Sequence, residues 1–365
     1  MKNTRFIIAS GGTGGHFYPG FALGKLLNKQ GMSVLFVVRT GDPAAQVLQT
    51  HKLKYKEVDF MGMPRSFNPL AYIKFMYKLV RALGQTRGII KAFGPDVCIG
   101  TGGYISFPLI FMAHFMGIKT AVHDSNTKIG LANRVCGKFA DLFMLGLPTT
   151  EKIKNALLTS TPIREEFAEK TNRRKILTDL DLDPTQKTVL VFGGSQGAKG
   201  LNAAVIRAVK RIVAENKEVH FIHITGERWY QNIKNQYGRT LQVRVLPYSN
   251  EIYDLMQISQ FVICRAGAST LAELIYCKKP ALLVPFPYAA ANHQYYNAKV
   301  LQSVGCAQMA LEGDNLEQEI YQTLTKVLGG QNSGVLRQMA ENYSKLNIPD
   351  PMSSAEFIAQ TLKQL

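Results

Sequence analysis

The segment Ser10-Gly-Gly-Thr-Gly-Gly-His16 puts four glycines in five positions and closes on a histidine, directly after the apolar run Arg5-Phe-Ile-Ile-Ala9. Backbone without Cβ atoms can approach a ligand closely, and a loop that opens a helix offers free N–H groups and the positive end of the helix dipole. That is chemistry for a phosphate or a diphosphate. His16 adds a group whose unperturbed pKa, about 6.5, suits a general base; the same residue also reads as a structural histidine that bonds backbone and fixes the loop. Two common fingerprints fail on named residues. G-x-G-x-x-G would start at Gly12 and needs glycine where Phe17 stands, and the second strand ends at Val38-Arg39 without the acid that holds an NAD ribose. Arg39 leaves an NADP-dependent oxidoreductase as one reading. No G-K-[ST] follows the glycines, so this is not a Walker A loop.

Related loops recur. Gly100-Thr-Gly-Gly-Tyr104 follows a short apolar run, and His123-Asp-Ser-Asn126 follows the next. In the second half, Gly193-Gly-Ser-Gln-Gly197 repeats the glycine theme with a hydroxyl and an amide. Cys264-Arg-Ala-Gly-Ala-Ser-Thr-Leu-Ala-Glu273 places Arg265 at a strand end, Ser269 and Thr270 at a helix start and Glu273 one turn further in. That carboxylate could accept both hydroxyls of a ribose, or serve only as a first-turn acid stabilised by the dipole. Asn292-His-Gln-Tyr-Tyr-Asn297 offers amides suited to sugar hydroxyls. The DxD pattern within 179–183 ends at Pro184 and reads as a solvated linker, so no metal is assigned.

The elements that must position these loops are short apolar runs alternating with helical patterns. Strands are expected at 6–10, 34–38, 97–100, 120–123 and 142–145, and again at 188–192, 219–225, 243–246, 261–264 and 281–284. Such continuously apolar strands are covered on both faces, which predicts parallel, doubly wound α/β sheets with sites at their carboxyl ends. At 365 residues the chain is expected to form two domains: 1–163, with a C-terminal helix over about 345–365 packing back on it, and 164–344. The five scattered cysteines fit reduced thiols rather than a zinc site. The N-terminal apolar stretch is too short for a signal peptide and reads as a strand.

A formal net charge of +17 asks for an acidic partner: nucleic acid, an anionic membrane surface or phosphorylated substrates. Residues 60–95 carry Arg65, Lys74, Lys78, Arg81, Arg87 and Lys91 and no acid. Asn68-Pro69 starts a helix there, with Lys74, Lys78 and Arg81 on one stripe among many apolar residues. The pattern suits a helix partly sunk in an anionic leaflet, each basic residue adding about 1 kcal/mol near the surface.

Two Rossmann-like halves carrying GGTGGH, GTGGY, GGSQGA, the CRAGA…E helix and an NHQ…NA segment, in that order over essentially the whole chain, resemble the MurG family of bacterial N-acetylglucosaminyltransferases. The resemblance implies the GT-B fold, two such domains facing across a cleft. It implies an inverting transfer of N-acetylglucosamine from UDP-N-acetylglucosamine to the muramyl 4-hydroxyl of lipid I, giving lipid II for peptidoglycan synthesis; a related UDP-sugar-dependent glycolipid synthase is the alternative. The first domain would then bind acceptor and membrane, and the second the UDP-sugar. Thr13, Gly14, Gly15, His16 and Asn126 match positions lining the donor–acceptor site, with His16 as the candidate base. Arg164, Ser195, Arg265, Glu273 and Gln294 match donor contacts, with Ser249 and Ile252 beside the uracil and Glu273 on the ribose. Gly12, Gly14, Gly102, Gly103 and Tyr104 remain for the acceptor's diphosphate. No cofactor, metal or nucleic acid is implied. The implied partners are both substrates, an anionic membrane surface and other cell-wall synthesis proteins, and the implied place is peripheral, on the cytoplasmic face of the plasma membrane. Two departures stand out: Ser160-Thr161 where the family usually has Gly-Asn before Pro, and Asp124-Ser125 where it often has Glu-Gln.

Overall fold

The computed structural model describes residues 4–12, 14–64, 68–194, 197–215, 218–329 and 333–365. Two compact units divide the chain: Met1–Arg164 with Ile348–Leu365, and Glu165–Asn347.

In the first unit, β1 (Arg5–Ala9), α1 (Gly14–Lys29), β2 (Ser33–Arg39), α2 (Ala44–Thr50), β3 (Tyr55–Val58) and α3 (Pro69–Phe93) are followed by β4 (Val97–Gly100), α4 (Ser106–Phe115), β5 (Lys119–Asp124), α5 (Leu131–Cys136), β6 (Leu142–Leu145) and β7 (Ala156–Leu158). The strands form one sheet in the order β3-β2-β1-β4-β5-β6-β7, every pairing parallel. Alternate β1 residues feed two cores. Phe6 and Ile8 pack with Leu23 and Leu27 of α1, whereas Ile7 and Ala9 pack with Ala82 and Ile90 of α3 and Leu109 of α4. Both faces are therefore covered, as the unbroken apolar runs require.

The second unit runs α6 (Arg173–Asp179), β8 (Lys187–Phe192), α7 (Lys199–Glu215), β9 (Val219–Ile224), α8 (Tyr230–Tyr237), β10 (Val243–Leu246), α9 (Ile252–Ile258), β11 (Phe261–Cys264), α10 (Ala268–Cys277), β12 (Ala281–Leu283), α11 (His293–Ser303), β13 (Ala307–Met309), α12 (Leu316–Leu328) and α13 (Ser333–Glu341). Its sheet, β10-β9-β8-β11-β12-β13, is again parallel throughout. The last helix, α14 (Ser354–Lys363), buries Ile358, Ala359 and Leu362 against the α1 side of the first sheet. A fully buried aliphatic side chain contributes roughly 1.5–3 kcal/mol, so this helix is firmly part of the first unit.

Strand order reverses between β1 and β4 in the first sheet and between β8 and β11 in the second. Such switch points open crevices at the strand carboxyl ends. All four flanking loops are ones that the sequence marks for chemistry.

α3 begins with Asn68 Oδ1 accepting the Leu70 N–H at 3.0 Å, and ends at Gly94 with φ 62°. Leu70, Ile73, Met76, Tyr77 and Val80 are exposed along one side of it, at helical spacing. The basic stripe expected there needs correction. Asp59, one residue before the acid-free stretch, accepts both hydrogen bonds of Lys78 at 2.5 and 2.7 Å and lies 3.8 Å from Arg81. The Lys78 ammonium holds the Asp59 carboxyl below the usual carboxylate range. Lys78 thus serves an internal ion pair, Arg81 shares it, and Lys74 remains an exposed charge beside the apolar stripe. Arg65 lies outside the described residues. No helix among the described residues is long and apolar enough to cross a membrane.

Candidate active site

At the first switch point the loops after β1 and β4 meet backbone to backbone. A Cβ on Gly103 would stand 3.0 Å from the Gly11 carbonyl oxygen, and one on Gly102 would stand 2.3 Å from Nδ1 of His16. Both glycines also have positive φ, 74° and 114°, so space and conformation each exclude a side chain. The His16 ring therefore lies against the second glycine loop. Tyr104 closes that loop with its ring packed on Gly62, where a Cβ would come within 2.6 Å of it.

His16 sits in the first turn of α1, and that turn is clamped. Pro19 lies inside the helix and withholds an N–H from its first turn. Ser10 Oγ lies 3.1 Å from the carbonyl oxygens of both His16 and Phe17, and Thr101 Oγ1 lies 2.9 Å from that of His16. The two hydroxyls, 3.0 Å apart, tie α1 to the ends of β1 and β4. They fit because residue 20 is glycine: a Cβ there would meet Ser10 Oγ at 2.6 Å and Thr101 Oγ1 at 2.9 Å.

Gly12 is a correction. Its N–H, expected to face a diphosphate, already donates to Asp42 Oδ2 at 2.7 Å, and the other Asp42 oxygen takes the Ala44 N–H at 3.0 Å. Asp42 is buried. The acid beyond β2 is thus turned into the glycine loop as a brace. Gly14 and Gly15 open α1 beyond it, and Thr13 lies outside the described residues.

At the end of β5, buried Asp124 organises the rim. It accepts the Asn126 N–H at 2.9 Å and the Asn126 amide at 3.3 Å on Oδ1, and the Gly130 N–H and Asn133 Nδ2, both at 3.0 Å, on Oδ2. The aspartate therefore holds Asn126. His123 Nε2 lies 3.0 Å from the Ser160 carbonyl oxygen. Burial pushes the His123 pKa down, and nearby His16 opposes its protonation further; as a neutral ring it donates from Nε2 to that carbonyl. Ser160 has φ 64°, a left-handed conformation that glycine adopts freely, and Thr159 Oγ1 also donates to its carbonyl at 3.0 Å. A serine at this position is thus held in place by its neighbours. Arg164, at the end of the same segment, has its guanidinium carbon 5.5 Å from the Tyr18 ring of α1.

The second unit gathers its own set at one sheet edge. Gly193 and Gly194 follow β8; Ser195 lies outside the described residues; a Cβ on Gly197 would stand 2.0 Å from the Thr225 carbonyl oxygen. After β10, Ser249 Oγ accepts the Glu251 N–H at 3.1 Å, a local turn leading into α9, whose first residue is Ile252. After β11 come buried Arg265 and α10, which carries Ser269, Thr270 and Glu273. After β12, the Phe286 N–H donates to Oε1 of Gln294 at 2.9 Å. The Gln294 carbonyl is thus taken, and its amide hydrogens are the part left for a sugar.

Arg265 is engaged internally. Nη1 donates to the Val284 and Pro285 carbonyls, each at 3.2 Å, and Nη2 to Glu312. Glu312 follows β13 and was invisible to motif reading, since it is 47 residues from its partner. Asp42 was missed for the same reason, being 30 residues from Gly12. The cue for both lies in their positions: each is an acid just beyond a strand of the sheet whose edge it braces.

Residues 6–144 match the glycosyltransferase family 28 N-terminal domain, and residues 188–353 its C-terminal domain. A protein of Elusimicrobium minutum (strain Pei191), the UDP-N-acetylglucosamine--N-acetylmuramyl-(pentapeptide) pyrophosphoryl-undecaprenol N-acetylglucosamine transferase, is 52% identical over 361 residues, covering 99% of each chain. The Desulforamulus reducens protein of the same name is 31% identical over 96% of each. Among solved structures, Acinetobacter baumannii MurG superposes with a TM-score of 0.79 at 23% identity, over 99% of this chain and 100% of that one. The fold is GT-B. With both domains matched in order and a relative more than half identical from end to end, this chain belongs to glycosyltransferase family 28.

Proposed function

We propose that this enzyme transfers N-acetylglucosamine from UDP-N-acetylglucosamine to the muramyl 4-hydroxyl of lipid I, an undecaprenyl-diphosphate-linked N-acetylmuramyl pentapeptide, with inversion at the anomeric carbon, giving lipid II. The observation that carries this reading is the 52% identity, over 99% of both chains, with the E. minutum transferase of that name.

The second unit takes the donor. Glu273 accepts the ribose hydroxyls, Ser249 and Ile252 flank the uracil, Gln294 gives its amide hydrogens to the sugar, and Ser195 contacts the donor, as does Arg164, the last residue of the first unit's main segment. The first unit takes the acceptor: Gly14, Gly102, Gly103 and Tyr104 face its diphosphate, while Thr13, Gly15 and Asn126 line the reacting sugars. His16 removes the proton of the acceptor hydroxyl as that oxygen attacks the anomeric carbon. The bond from that carbon to the diphosphate oxygen breaks with its electron pair leaving on UDP, through an oxocarbenium-like transition state. N–H groups at the starts of α7 and α10 suit the charge that develops there. The Arg265 charge is balanced by Glu312, so those backbone groups carry most of that stabilisation. The clamp on α1 and the contact with Gly102 support His16 as a positioned base, because they fix its ring at the switch point.

The enzyme works as a peripheral protein on the cytoplasmic face of the plasma membrane. What supports this is the exposed stripe Leu70, Ile73, Met76, Tyr77 and Val80 beside Lys74; an apolar face with flanking cations suits an anionic leaflet. Purified protein should release UDP from UDP-N-acetylglucosamine only when a lipid I analogue is present, and mass spectrometry of the lipid should show the added sugar. UDP-sugar turnover without any acceptor would contradict the reading, as would turnover on diacylglycerol with none on lipid I analogues.

A further inference from the structure

We infer that Glu312 is a positioning residue for recognition of the donor sugar, acting through Arg265 on the 284–286 turn that holds the Gln294 side chain. This rests on the reading of the second unit as the UDP-N-acetylglucosamine site.

The chain of contacts is continuous. The Arg265 side chain is only 8% exposed and its Nη2 is held by the Glu312 carboxylate. With that end fixed, Nη1 braces two successive carbonyls, Val284 and Pro285, at 3.2 Å each. The next residue, Phe286, has its ring 5.5 Å from the guanidinium carbon, and its N–H fixes the Gln294 amide at 2.9 Å. Glu312 is held from its other side as well. Its Oε1 rests on Gly200 in the first turn of α7, where a Cβ would stand 1.9 Å away, and that turn is the positive end of the helix dipole. The carboxylate thus has two separable effects. Its charge cancels that of Arg265 beside the expected diphosphate, and its position sets the 284–286 turn on which the Gln294 orientation depends.

The two effects predict opposite signs. Glu312→Gln removes a negative charge near an anionic ligand, so UDP measured by calorimetry should bind about fivefold tighter at physiological salt. The same variant loosens the brace on Gln294. Its preference for UDP-N-acetylglucosamine over UDP-N-acetylgalactosamine, which differ in the orientation of one hydroxyl, should fall about tenfold in kcat/KM. Glu312→Asp keeps the charge on a shorter arm: UDP affinity should stay at the wild-type value while sugar preference falls. A residue that merely stabilised the fold would lower UDP affinity and sugar preference together, and that result would overturn the inference. So would wild-type sugar preference in both variants. Wild-type protein that binds no UDP would instead overturn the donor-site reading, and this inference with it.

Discussion

Each unit ends its switch point with a glycine loop and a nearby carboxylate, yet the two carboxylates do different work. Asp42 takes backbone N–H groups from Gly12 and Ala44 and is almost fully buried. Glu312 takes a guanidinium, is 24% exposed, and rests on a helix start. The first arrangement takes the Gly12 donor of the glycine loop and braces that loop beside the turn that carries His16. The second keeps a balanced cation next to open backbone donors, an environment that an anionic ligand can enter at little cost. The proposed division of labour follows that difference: a positioned base in the first unit and the donor's diphosphate in the second.

The sharpest way to break that contrast is at His16. His16→Ala should lower turnover by about 100-fold or more, the usual scale for loss of a general base, with UDP affinity unchanged; an unaltered turnover number would leave the residue as scaffolding. Next is the clamp. Gly20→Ala drives a methyl into Ser10 and Thr101, so the protein should lose roughly 1–3 kcal/mol by chemical denaturation and lose turnover with it, since the same hydroxyls hold the turn of His16.

Acid should weaken the second unit. His223, fully buried between Tyr237 Oη and Asn202 Oδ1, has its pKa pushed down to about 3 by burial. Below about pH 6.5 the unfolded chain binds a proton there that the folded unit refuses. The contribution is therefore complete above that pH and lost as pH falls toward 3, by about 2 kcal/mol between pH 6.5 and 5. Trp229, the single tryptophan, lies in the second unit and reports its unfolding by fluorescence. A flat stability profile over that range would contradict this. The smallest effect belongs to the first unit: Ser160→Gly relieves a left-handed serine whose buried Oγ has no hydrogen-bond partner among the described residues, and should raise stability by about 1 kcal/mol in urea unfolding.

Central strands were legible in the sequence because both of their faces are apolar. Three of the four edge strands, β3, β7 and β13, were not: β3 exposes Lys56 and Glu57, as edges carry charge to avoid mispairing, and β7 and β13 are only three residues long. The glycine loops were legible as loops, but not the separate job of each glycine. Gly20 makes room for two hydroxyls, Gly102 for His16 and Gly200 for Glu312, and only the folded backbone reveals those neighbours. Spacing likewise failed for the ion pairs. The stretch from residue 60 onward reads as free basic charge until Asp59 is seen on Lys78.

Titration of UDP into wild-type protein, Glu273→Gln and His16→Ala tests the division of labour most directly. The account predicts that the Glu273 variant binds UDP at least about tenfold more weakly, the scale of losing hydrogen bonds to a charged group, while the His16 variant binds it like wild type. UDP affinity lost on changing His16 and kept on changing Glu273 would contradict it.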